Sequence, residues 1–108
     1  MPWLNKRFVD DIAGEVDALR SSVDPVTKQF VEGYDRAIGN PDYFRFRGRG
    51  EQIDLPIDEA AYPLMEVIAL NRVTYWDDAL ASATDPARRD ICRRGIRRSK
   101  KIAARFTK

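Results

Sequence analysis

The first stretch of the chain places its apolar residues at helical spacing. At about 100° per residue, Leu4, Phe8, Val9, Ile12, Val16 and Leu19 share one side, and Lys6, Asp10 and Asp17 fall opposite. This predicts a helix from about Asn5 to Arg20, with Asn5 as its N-cap. Ser21-Ser22-Val23-Asp24-Pro25 is a break and a restart. The Asp24 carboxylate suits the free amides of a new first turn, and Pro25 suits the first helical position, where its missing N–H costs nothing. Val26, Phe30, Tyr34, Ala37 and Ile38 then line one face, and Gly39 and Pro41 supply the stop. The second helix therefore spans about Pro25 to Ile38.

The period then changes. Tyr43-Phe44-Arg45-Phe46-Arg47 alternates, Gly48-Arg49-Gly50 follows, and Gln52-Ile53-Asp54-Leu55-Pro56-Ile57 alternates again. Two alternating runs around a glycine-rich turn predict a short β-hairpin laid on helices, with an extended loop as the alternative. Pro56 suits an edge strand or a strand end.

From Pro63 onward apolar residues surround the helix axis: Leu64, Met65, Val67, Ile68, Leu70, Val73, Tyr75, Trp76, Ala79 and Leu80. A helix apolar nearly all round is expected at the centre of a fold. Arg72 projects into the same arc. It either meets a carboxylate or lies at the rim with its stem packed. Asp85-Pro86 repeats the cap-and-start pattern, so the last helix runs from Pro86 to about Phe106. Ala87, Ile91, Cys92, Ile96, Ile102, Ala103 and Phe106 occupy one half of its wheel, and Gly95 lies on that apolar side, a place for a neighbouring helix to approach. Arg89, Arg93, Arg94, Arg97, Arg98, Lys100, Lys101 and Arg105 fill the other half.

These elements define a mainly α fold. The expectation is a compact four-helix domain, one unit over residues 1–108, with the hairpin or loop between helices 2 and 3. Its core draws on Phe8, Ile12, Val16, Phe30, Tyr34, Ile68, Tyr75, Trp76, Ile91 and Ile102.

Composition narrows the chemistry. The 108 residues contain no His and one Cys, which excludes an internal disulfide and leaves no ordinary zinc site. The usual acid–base side chain near neutral pH is missing as well. Adjacent carboxylates occur at Asp10-Asp11, Asp58-Glu59 and Asp77-Asp78, but neighbours on a helix point about 100° apart and form no converging dyad. We therefore expect no catalytic residue, metal or cofactor. No apolar run approaches the ~20 residues that span a bilayer, and Met1–Arg7 leads into Asp10 and Asp11 rather than a secretion signal. The expectation is a cytoplasmic protein without a membrane partner.

Charge adds the most. Residues 86–108 hold ten basic side chains, seven of them Arg, and a single acid, Asp90, for a net +9. Residues 1–85 hold 9 basic and 16 acidic side chains, for a net −7. The chain reads as an acidic body, 1–85, carrying a basic amphipathic C-terminal helix, 86–106. Arginine's planar donor fork matches phosphate or carboxylate. The alternative is a solvated outer face that offsets the acidic body. In Tyr43–Gly50, aromatic rings interleave with Arg45, Arg47 and Arg49 as they do in single-strand binders. A wet arginine face on a strand anchored by Phe44 and Phe46 is the plainer account.

Cys92-Arg93-Arg94-Gly95-Ile96-Arg97-Arg98-Ser99 has the spacing C-x2-G-x2-R-S. This resembles the phosphate-binding loop of the cysteine-dependent phosphatases. The resemblance covers eight residues and implies Cys92 as nucleophile, Arg98 as the phosphoryl grip and Ser99 as the aid to the leaving thiolate. Ile91 stands where many of those enzymes carry His.

The function expected is non-enzymatic binding. One form is contact with DNA or RNA through Arg89, Arg93, Arg94, Arg97, Lys100 and Lys101 on the last helix and Arg45, Arg47 and Arg49 on the hairpin. The other is an adaptor, inhibitor or assembly protein docking on an acidic protein surface. A small accessory protein of a phage or mobile element would fit either.

Overall fold

The structure is a computed structural model that describes residues 3–39 and 52–107. It is mainly helical. In chain order the elements are β1 (Trp3–Asn5), α1 (Lys6–Asp11), α2 (Ala13–Leu19), α3 (Pro25–Gly39), β2 (Gln52–Asp54), a single 3-10 turn (Glu59–Ala61), α4 (Tyr62–Ser82) and α5 (Pro86–Phe106). Their contacts divide the chain into two units, residues 1–61 and 62–108.

In the first unit, the helix expected over Asn5–Arg20 exists as two. Asn5 does cap it, its Oδ1 accepting from the N–H groups of Arg7 and Phe8 at 2.9 and 3.3 Å. The interruption falls at Ile12, whose backbone (φ −91°, ψ 6°) leaves the helical region. Apolar spacing is insensitive to this step, because Leu4, Phe8, Val9, Ile12 and Val16 are all fully buried on both sides of it. At α3 the restart is the expected one. The Asp24 carboxylate accepts from the Thr27 N–H at 2.9 Å and from the Thr27 hydroxyl at 2.8 Å, which also accounts for Thr27 as a buried polar residue. Those two donors hold the Asp24 carboxyl below the usual carboxylate range. Tyr34, buried from α3, donates its hydroxyl to the Val9 carbonyl at 2.8 Å. Arg20 forks onto Asp35 at 2.8 and 2.9 Å and reaches Asp17 at 3.0 Å, joining the end of α2 to α3 at the surface.

The hairpin expected between helices 2 and 3 is not confirmed. Its first strand and turn, including Arg45, Arg47 and Arg49, lie outside the described residues. The second run contributes β2, which pairs antiparallel with β1 near the start of the chain, in the register Trp3↔Asp54, Leu4↔Ile53 and Asn5↔Gln52. Leu4 and Ile53 are opposite one another and both buried, so the pairing lets two apolar side chains share one side. Alternation shows that a run is extended; the partner it selects is a long-range matter.

In the second unit, α4 and α5 form an antiparallel helical hairpin across the short Ala83–Asp85 connection. Met65, Ile68, Ala69 and Trp76 are buried on α4. The expectation of a central α4 packed on several sides is corrected here: Val67, Leu70 and Tyr75 are 53%, 49% and 46% exposed. Tyr75 and Ile91, both expected in the core, are surface residues, Ile91 being 47% exposed. An apolar side chain on the flank of a helix is buried only if something packs on that flank, and the wheel does not say so. Arg72 is half-buried with its guanidinium 4.0 Å from the centre of the Tyr75 ring, a cation–π contact.

Candidate nucleic-acid interface

The basic residues are positioned by α5. Asp85 caps it, accepting from the Arg88 N–H at 3.1 Å, with Pro86 at the first helical position. At the far end Thr107 turns extended; its hydroxyl donates to the Ala103 carbonyl at 3.0 Å and also meets the Glu66 carboxylate.

The buried side of α5 is Cys92, Gly95, Ser99, Ile102, Ala103 and Phe106. These recur every three or four residues, the spacing of a helix seam, and most are small. The indole of Trp76 occupies the gap at Gly95. Nearer the other end of the hairpin, Phe106 meets Tyr62 edge-on, ring centres 5.1 Å apart. Orientation of the helix about its own axis is thereby set, and the opposite arc is turned away from α4.

That arc bears Lys100, Arg93, Arg97, Lys101 and Arg94, all exposed, over roughly 120° of the wheel. The side chains of Arg93, Arg97, Lys100 and Lys101 take no hydrogen bond or ion pair among the described residues. Arg94 pairs with Asp90 one turn back at 2.7 Å, the acid and the cation both about half exposed. From Arg93 to Lys101 no acidic residue interrupts the sequence.

Arg89 is placed differently. Its guanidinium donates to the Leu80 and Ala83 carbonyls at 3.1 and 2.9 Å, satisfying acceptors at the C-terminal end of α4. It belongs to the hairpin's closure rather than to the exposed arc. Arg88 lies 5.8 Å from the Trp76 ring. Neither role has a marker in the helical wheel, because both depend on where α4 ends.

The phosphatase-like spacing takes a form unlike the loop it resembles. Residues 92–99 all lie inside α5, so their backbone amides face the helix's own carbonyls and make no cradle for phosphate. Cys92 is fully buried on the seam. Ser99 is also fully buried, on the same side.

Elsewhere, a cleft of about 340 Å³ in the first unit is lined by Val26, Phe30, Gly33 and Ile57, with Gln29, Arg36 and Asp58 as polar lining. The Asp58 carboxylate accepts from the Ala60 N–H at 2.9 Å and so caps the 3-10 turn. Among the described residues no cluster of His, Cys, Asp or Glu is arranged to hold a metal ion, and no helix is long and apolar enough to cross a membrane. Comparison with protein-family models, with curated proteins and with solved structures finds no match to this chain.

Proposed function

We propose that this is a non-enzymatic, cytoplasmic nucleic-acid-binding protein that holds phosphates on the outer arc of α5. One observation carries this reading. Arg93, Arg97, Lys100 and Lys101 form an exposed row on one helix, and none is paired with a carboxylate of the described residues of the α4–α5 unit. Arg45, Arg47 and Arg49 add cations to the same reading from the sequence alone.

Titration of fluorescently labelled DNA and RNA at several salt concentrations tests it. Four neutralised phosphates on duplex DNA give a slope of log K against log salt near −3.6, and on a single strand near −2.8. Replacing Arg93 and Arg97 with Gln should weaken binding and flatten the slope. Absence of binding even at low salt overturns the proposal.

A second reading, docking on an acidic protein surface, is favoured by the half-exposed Val67 and Leu70 on α4, which would supply the apolar contact such an interface needs. Recovery of a protein partner that survives nuclease treatment, and that is lost on Val67→Ser with Leu70→Ser, would favour it over the first.

A further inference from the structure

The geometry points to the major groove of B-form duplex DNA as the seat of α5, with its cations meeting phosphates on both banks of the groove. This rests on the nucleic-acid reading above and specifies its ligand.

The exposed arc is organised in two ridges. On the wheel, Lys100 and Arg93 lie within about 20° of each other on one flank, and Lys101 and Arg94 within about 20° on the other. Roughly 100° separates the two ridges. Between them runs a midline of residues seven apart: Asp90, Arg97 and Ala104. Asp90 is drawn aside onto Arg94 and Ala104 is short, so Arg97 is the one long side chain that stands between the ridges. Gly95 and Trp76 hold α4 on the opposite side, leaving the whole arc clear of the helix that supports it.

A single strand tracks along one line of charge, and a two-ridged face gives it only half its cations. A duplex groove offers phosphates on both sides. An α-helix with its side chains is about 10–12 Å across, and the B-form major groove is about 12 Å wide. The dimensions match with the midline over the groove floor and one ridge toward each strand. The A-form duplex of RNA has a deep, narrow major groove that side chains cannot enter, so the helix cannot seat in it and meets phosphates only from outside. The midline carries one long donor, Arg97, and no exposed Asn or Gln, so the contacts are mostly to backbone and the sequence preference is weak.

The test uses the full chain and three labelled probes of one sequence: a DNA duplex, its single strand and the corresponding RNA duplex, all at the same salt. The expected order places duplex DNA about tenfold or more ahead of both others. Two paired variants, Arg93→Gln with Lys100→Gln and Arg94→Gln with Lys101→Gln, remove one ridge each. Both pairs should weaken duplex binding, and the first should bring the salt slope from about −3.6 to about −1.8. Gln keeps the helix propensity, and circular dichroism of each variant checks that the fold is retained. If all three probes bind equally, or if one ridge alone accounts for duplex binding, the groove seat is overturned while the nucleic-acid reading stands. If no probe binds, both fall together.

Discussion

The indole of Trp76 lies on the bare Cα of Gly95. A methyl group placed there would stand 2.5 Å from Cδ2 and Cε2 of the ring, closer than any real contact. Trp76 is 8% exposed and Gly95 is buried, so the contact is internal to the α4–α5 hairpin and sets how near the two helices come. Glycine weakens an isolated helix by roughly 1 kcal/mol relative to alanine. Here the neighbour it admits outweighs that weakness.

Gly95→Ala should therefore destabilise the protein despite improving helix propensity, with overpacking of a rigid ring costing about 1–3 kcal/mol. Gly14 in α2 is the contrast. Nothing lies within 4 Å of a methyl group placed there, so Gly14→Ala should stabilise by roughly 0.4–1 kcal/mol. Urea unfolding of the two variants beside the parent should show midpoint shifts of opposite sign. A neutral or stabilising Gly95→Ala would mean that Trp76 is free to move away.

Acid should weaken the protein through Asp24 and Asp35. The Arg20 guanidinium holds the Asp35 carboxyl below the usual range, as the Thr27 donors do for Asp24. The unfolded chain then takes up these protons at higher pH than the folded one. The associated stability is complete above the unfolded value of about 3.9 and is lost as pH falls through the lower folded values. Both carboxylates are exposed, so the effect is small and sensitive to salt. Asp35→Asn should make the acid limb of a stability–pH curve shallower; an unchanged limb would remove the Arg20 clasp from the explanation.

Alkali acts through Tyr34. Burial, aided by the negative charges of Asp10, Asp17 and Asp35, pushes its phenol up to about 12. The unfolded chain releases the proton near the ordinary value of about 10, so stability is full below that pH and declines as pH rises toward 12. A difference titration against Tyr34→Phe, read by phenolate absorbance, should isolate one late-titrating group. The same variant leaves the Val9 carbonyl without its hydroxyl donor, for an expected loss of about 1–2 kcal/mol.

Two neighbouring arginines should part company. Arg89→Gln takes away the Nη1 group that donates to both the Leu80 and Ala83 carbonyls and should lower stability by about 1 kcal/mol, leaving the salt slope of nucleic-acid binding untouched. Arg93→Gln should do the reverse. Measuring both quantities for both variants decides the matter, and a slope that changes with Arg89 would return it to the binding face.

Much of this was legible from residue order because it is local. Asn5, Asp24 and Asp85 cap helices as their positions beside a starting turn require, and Pro25 and Pro86 stand where an absent N–H is harmless. The two faces of α5 follow from the 3.6-residue period, and so does the place of Gly95 and Cys92 on the buried side. What pattern alone left open was always a choice between partners distant in the chain. Alternation marked Ile53 as extended, but only the folded chain set β2 against β1. Apolarity marked Tyr75 and Ile91 for burial, yet both are about half exposed, because none of the described residues covers those flanks. Helical spacing grouped Arg89 with Arg93, and the end of α4 claimed one of them. Dihedral preference and periodicity act within a few residues and so are written in the sequence itself. Burial and hydrogen-bond partnership depend on what arrives from elsewhere, and these the tertiary structure decided.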